Sequence, residues 1–107
     1  MKIRDYHAHL YYHRGNIEEA RTLAVELGRL YPVPVGTFHE KKVGPHPVWS
    51  CQLTLTNELF ASVIPWLILN HGTVDLFIHP NTGDDLADHR DHVMWIGKSY
   101  DLNLDIF

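Results

Sequence analysis

The sequence predicts an α+β domain with the ferredoxin-like β-α-β-β-α-β order, a single antiparallel sheet carrying both helices on one face. Three observations lead there. Short segments alternate apolar and polar residues with period two, and two longer ones carry apolar residues at helical spacing. Their order along the chain is strand, helix, strand, strand, helix, strand. At 107 residues, 45% of them apolar, the chain is long enough for one core and too short for two, so residues 1–107 read as one domain.

Tyr6 to Tyr12 reads as the first strand. Side chains alternate across a strand, so His7, His9 and Tyr11 share one face while Tyr6, Ala8, Leu10 and Tyr12 form the core face. Asn16 with Glu19 three residues on resembles a capping box, and Ile17, Ala20, Leu23, Ala24, Leu27 and Tyr31 follow helical spacing until Pro32 stops the helix. Val33 to His39 is read as a second strand. The loop Glu40 to Pro47 contains Gly44-Pro45-His46-Pro47, stiffened by its two prolines.

Val48 to Leu55 gives a third strand, with Trp49, Cys51, Leu53 and Leu55 on one side and Ser50, Gln52 and Thr54 on the other. Thr56 or Asn57 caps a second helix with the stripe Leu59, Phe60, Val63, Ile64, Leu67 and Ile68, and Pro65 inside it predicts a kink or a late start. Thr73 to His79 is the fourth strand, placing Val74, Leu76 and Ile78 on the core and Asp75, Phe77 and His79 opposite. A turn at residues 81–84 leads to a short helix, Asp85 to His92, with Asp85/His89 and Asp88/His92 as i,i+4 pairs. The tail from Leu102 to Ile106 alternates and is expected to be a fifth strand. The sheet face away from the helices is left open unless a second subunit or this tail covers it.

Several function classes are disfavoured. Net charge is −4 and the lysines and arginines are scattered, so there is no basic stripe for nucleic acid. The longest apolar run, Val63 to Leu69, is far too short to span a bilayer, which argues against a membrane protein. The single Cys51 falls in a strand-like run with no internal partner, which suggests a reducing, cytoplasmic setting. No Gly-rich phosphate loop, Ser-based triad or paired-Cys metal motif is present.

The residue type in surplus is histidine, nine in all. His7 and His9 stand about 6.6 Å apart on one strand face, close enough for two imidazoles to reach one metal ion. The fourth strand is the antiparallel neighbour of the first in this topology, and its end lies beside the start of the first. His79 therefore falls near His7, on the same face. His7, His9 and His79 are the candidate metal ligands, and a polar sheet surface or dimer interface is the alternative. Open metal sites also use carboxylates, which keeps Asp75, Asp84 and Asp88 in view. His39 and His46 belong to the other end of the first strand, from which the stiff loop could carry His46 over the sheet as an acid/base or substrate-binding group. Tyr11 shares the histidine face and could line a pocket for an aromatic substrate. His13, His71 and His92 read as surface or capping residues.

The stretches His7-Ala8-His9-Leu10-Tyr11-Tyr12, Gly44-Pro45-His46-Pro47, His79-Pro80-Asn81-Thr82-Gly83-Asp84, Asp88-His89 and Trp95-Ile96-Gly97 together resemble the DOPA 4,5-dioxygenase family, in order and over nearly the whole chain. The family histidines match positions 7, 9, 39, 46, 79 and 89. The resemblance implies a dimeric α+β barrel type of ferredoxin-like fold with a C-terminal extension, and hence a homodimer. It also implies extradiol cleavage of a catechol such as L-DOPA by O2 at a non-haem Fe(II), with His39, His46 or His89 moving the proton. A His-based isomerase and a dimeric sheet protein that binds a metal or aromatic ligand without turnover are the rival readings.

Overall fold

The computed structural model describes residues 1–107. Its elements are β1 (Asp5–Tyr12), α1 (Ile17–Leu30), β2 (Trp49–Leu55), α2 (Asn57–Asn70), β3 (Asp75–Asn81), α3 (Asp85–Arg90) and β4 (Met94–Ile96), followed by a 3-10 turn at Leu104–Ile106. The sheet is antiparallel throughout, in the order β2-β1-β3-β4. Central β1 pairs with β2 from Tyr6↔Leu55 to Tyr12↔Trp49 and with β3 from Asp5↔Asn81 to Tyr11↔Asp75. The α+β class and the adjacency of the first and fourth predicted strands both hold.

The strand parities follow the sequence. Ala8, Leu10, Tyr12, Cys51, Leu53, Leu55, Leu76 and Ile78 meet Ile17, Ala20, Leu23, Ala24 and Leu27 of α1 and Val63, Ile64 and Leu67 of α2 in one cluster of 19 buried residues. Each fully buried Leu or Ile contributes roughly 1.5–3 kcal/mol relative to exposure. A one-residue slip of β1 would exchange that set for His7, His9 and Tyr11, so the register is fixed by the same energy that builds the core.

Several local expectations are corrected. Val33 to His39 is not a strand: it touches β2 through one bridge, Val35↔Leu53, with flanking bonds from Gly36 N to Gln52 O and from His39 N to Ser50 O. Pro34 has no N–H for a ladder, which leaves this segment as an irregular edge. The tail is no fifth strand either. The fourth strand of the sheet is Met94–Ile96, too short to show a period in the sequence.

The capping box does not close. Asn16 Oδ1 accepts from His13 N–H and its amide donates to Thr73, while Glu19 accepts from the backbone N–H and hydroxyl of Thr73. Glu19 and the Asn16 amide are drawn to Thr73, just before β3, and the Asn16 oxygen to His13, so neither side chain serves the helix end. Helix α2 does not start late. Thr56 Oγ1 caps it by accepting Leu59 N–H, and it continues through Pro65 to Asn70. The carbonyl of Ala61 that Pro65 cannot serve belongs to an exposed residue, where water can replace the missing donor. Helix α3 ends at Arg90, two residues short of the expected His92, and no helix is long and apolar enough to cross a membrane.

Candidate functional site

The sheet face opposite the helices carries His7, His9 and Tyr11 from β1, Phe77 and His79 from β3, and Trp95 from β4. It is not open. The chain's own C-terminal segment folds over it, with Tyr100 against Tyr11 and Trp95, Phe107 against His89, and Asn103 N–H donating to the carbonyl of Pro45. Tyr11 is 1% exposed and Phe77 fully buried.

His7 and His79 stand directly opposite in register, and His7, His9 and His79 each offer a nitrogen within 4.8 Å of the others. The Nε2 atoms of His9 and His79 are 3.1 Å apart. His79 Nδ1 lies 2.9 Å from the carbonyl of Pro80. A carbonyl only accepts, so Nδ1 carries the proton and Nε2 keeps its lone pair. Burial lowers the pKa of all three imidazoles. His79 is brought down to about 4, and His9, which also feels His46 and His79, goes well below its usual 6.5. At neutral pH they are uncharged, the form that binds metal.

The donor set fits a divalent first-row metal ion. Two nitrogens held about 2.1 Å from such an ion at right angles are roughly 3 Å from each other, the separation seen between His9 and His79. Imidazole suits iron as well as zinc, copper or nickel. The carboxylate alternatives are engaged elsewhere. Asp75 accepts from Tyr100 O–H and Lys98 N–H, and Asp84 caps α3 through Ala87 N–H. Asp88 accepts from the backbone N–H and hydroxyl of Thr82 and contacts His92 Nδ1 at 3.1 Å. Burial works against the Asp88 carboxylate, but these bonds still hold its pKa below the usual value.

The stiff loop does bring His46 over the sheet. Its ring packs 4.2 Å from His9, centroid to centroid, and its Nδ1 lies 2.6 Å from the Tyr11 hydroxyl. His46 N–H closes the turn onto Val43 O, and burial drops the His46 pKa to about 4. A cavity of about 230 Å³ opens here, with His9, His39, His46, Ser50 and Gln52 among its lining. A larger cavity of about 440 Å³ lies between α1 and α2, on the helical layer, and none of the clustered histidines reaches it. On the opposite flank His89 packs against His79, ring centroids 4.1 Å apart and tilted, its Nδ1 2.7 Å from the carbonyl of Asp85. The expected Asp85/His89 pairing is thus made through the backbone and not the carboxylate.

His13, His71 and His92 stay outside the cluster, bonded to Gly15 N, Val74 O and Asp88 respectively. Sequence reasoning did not single out Phe77, Trp95, Tyr100, Phe107 or Gln52. Gln52 reaches His7 at 3.2 Å, and Phe77 sits 4.9 Å from the Trp95 ring. Strand parity places Phe77 and Gln52 on the non-core side of their strands, without giving either a role. Trp95, Tyr100 and Phe107 lie in segments without a readable period.

The sequence model of the Dopa 4,5-dioxygenase family matches residues 6–106. The chain is 35% identical over 113 residues to DOPA 4,5-dioxygenase of Amanita muscaria, covering 96% of this chain and 49% of that protein. It is 36% identical over 110 residues to a 21.2 kDa protein of Botryotinia fuckeliana, covering 92% of this chain and 60% of that one. The chain thus spans about half the length of the curated relatives it matches. The crystal structure of "a putative dioxygenase" from Nostoc punctiforme superposes with a TM-score of 0.93 at 34% identity, over 96% of this chain and 90% of that one.

Proposed function

The chain belongs to the Dopa 4,5-dioxygenase family, and from that premise we propose that it is a non-haem Fe(II) extradiol dioxygenase opening the ring of a catechol such as L-DOPA with O2. The observation that carries the reading is the cluster of His7, His9 and His79, with neutral nitrogens within 4.8 Å of one another beside a cavity. Bound by these three side chains, Fe(II) would supply a Lewis-acidic, redox-active centre with open positions for diol and O2.

The chain's own residues do the rest. His46 and His39 line the cavity beside His9 and are placed to hold or move a substrate proton. His89 lies over the other side of the cluster. Tyr11, Phe77, Trp95 and Tyr100 form an aromatic wall, largely dry, that shields the site from water. Tyr11 acts in this reading as part of the wall that a substrate ring would meet and through its hydrogen bond to His46. A homodimer and a cytoplasmic setting belong to the same proposal. The dimer rests on the family likeness, and the cytoplasmic setting on the lone, buried Cys51.

The test is metal analysis after anaerobic purification, paired with oxygen uptake on L-DOPA, protocatechuate and simple catechols. Stoichiometric iron with catechol-dependent uptake supports the reading. Tight ligand binding without uptake would make the protein a binding module. Turnover without metal or oxygen would make it a His-based isomerase.

A further inference from the structure

Four imidazoles form a row across the sheet face. Centroid distances are 4.2 Å from His46 to His9, 5.2 Å from His9 to His79 and 4.1 Å from His79 to His89. The inner pair belongs to the proposed metal cluster. The outer pair, His46 and His89, sit at the two ends, and their surroundings treat them in opposite ways.

The Tyr11 hydroxyl has His46 Nδ1 as its one hydrogen-bond partner, at 2.6 Å. Tyr11 is 1% exposed, and burial pushes its ionisation far above the usual phenol range, so the hydroxyl keeps its proton. Were His46 Nδ1 also protonated, the phenolic hydrogen would have no acceptor, a buried loss worth roughly 1–3 kcal/mol. Tyr11 O–H therefore donates, His46 Nδ1 accepts, and the His46 proton sits on Nε2. No buried side-chain nitrogen or oxygen is without a partner, yet His46 Nε2 bonds to no protein group, so this N–H retains solvent access on a residue that lines the cavity.

His89 is the mirror case. Its Nδ1 faces the backbone carbonyl of Asp85 at 2.7 Å, and a carbonyl can only accept. Nδ1 is therefore the protonated atom. His89 Nε2 carries the lone pair and also bonds to no protein group.

We infer that the Tyr11 phenol and the Asp85 carbonyl set opposite tautomers on His46 and His89, so that the row ends in a hydrogen-bond donor at His46 and an acceptor at His89. On the dioxygenase reading, on which this step rests, the two ends have different work. His89 receives the proton of a substrate hydroxyl, and His46 donates to an oxygen that becomes negative. Tyr11 is then a positioning residue, acting through His46.

The tautomers can be read without metal or turnover, from the long-range proton–nitrogen correlation spectrum of the metal-free, 15N-histidine-labelled protein near pH 7.5. Signals are assigned with His46→Asn and His89→Asn. The expected result is His46 protonated at Nε2 and His89 at Nδ1. In Tyr11→Phe, which keeps the ring packing, His46 should become a mixture of tautomers while His89 and His79 keep theirs, which also reports that the fold is intact. The inference is overturned by a wild-type spectrum in which His46 is protonated at Nδ1 or His89 at Nε2. It is equally overturned if His46 in Tyr11→Phe is unchanged. Should the tautomers be as stated while no catechol is consumed, the dioxygenase reading fails and the tautomer assignment stands.

Discussion

His9 and His79 point their Nε2 atoms at each other across the β1–β3 seam at 3.1 Å, and the one N–H of neutral His79, at Nδ1, donates to the Pro80 carbonyl. In the metal-free protein His9 Nε2–H must therefore donate to His79 Nε2. In the proposed reading a bound metal ion would take the place of that proton and use both lone pairs. His7, half-buried beside them, closes the set. Replacing any one of the three by Ala is expected to weaken metal binding by well over 100-fold, since removing only an outer supporting partner of a ligand already costs 10–100-fold. Chelator competition with Fe(II) and Zn(II) measures it. A single variant that keeps wild-type affinity takes its histidine out of the set.

His46 should behave differently. It touches His9 by ring packing but contributes no nitrogen to the cluster. His46→Ala is expected to keep the metal and to lose about 10²- to 10⁴-fold in catechol turnover, the usual range for a positioned acid or base. It should also lose roughly 1–3 kcal/mol of stability, because the buried Tyr11 hydroxyl is left without its acceptor. Metal content and kcat on the same preparation separate the two effects. Loss of metal in this variant would move the centre toward the loop.

The comparison of these two histidine groups shows what the sequence could and could not carry. Parity placed His7, His9 and His79 on one face because period-two alternation is strict and the core side of β1 and β3 is unmistakably apolar. That His46 also reaches the cluster depends on a loop of eight residues with two prolines, whose path no periodicity encodes. The same holds for the covering of the face. Trp95 lies on a three-residue strand, and Tyr100 and Phe107 lie in irregular chain, so their packing follows from tertiary contacts alone. The failed capping box has a similar cause: Glu19 and Asn16 are near each other in sequence, but Thr73, 54 residues beyond Glu19, offers better-placed partners.

Asp88 is the buried carboxylate that shapes the end of β3. Its oxygens hold the N–H and hydroxyl of Thr82, three residues past His79, and it sits in the helix that carries His89. Asp88→Ala leaves both Thr82 donors without their acceptor and should cost roughly 2–4 kcal/mol, one charged hydrogen bond being worth about 1.5–3. Urea denaturation of the metal-free protein measures it. In the variant the His79 and His89 histidine signals should broaden or shift while that of His46 stays in place. A stability change below about 0.5 kcal/mol, the range of ordinary surface substitutions, would show that Asp88 is not holding this turn.

The neutral histidines also fix a direction for acid sensitivity. His46 and His79 have folded-state pKa values of about 4 because burial disfavours the imidazolium, against about 6.5 in the unfolded chain. As pH falls below about 6.5, the unfolded chain takes up protons on these side chains and the folded one does not. The unfolded state is thereby favoured, by up to about 1.4 kcal/mol per pH unit for each such group. Stability of the metal-free protein should then be level above about pH 7, fall between about 6.5 and 4, and level again with respect to these two groups below that. Carboxylates such as Asp88 and Glu19, held below their usual range in the fold, begin to add their own losses below about pH 5, so the interval from about 6.5 to 5 isolates the imidazoles. Saturating metal should deepen the loss, since protons compete directly for its ligands. Urea titrations at pH 7.5, 6.0 and 5.0 and constant ionic strength test this. Equal stabilities at 7.5 and 5.0 would mean that these rings are already charged, or already solvated, in the folded protein.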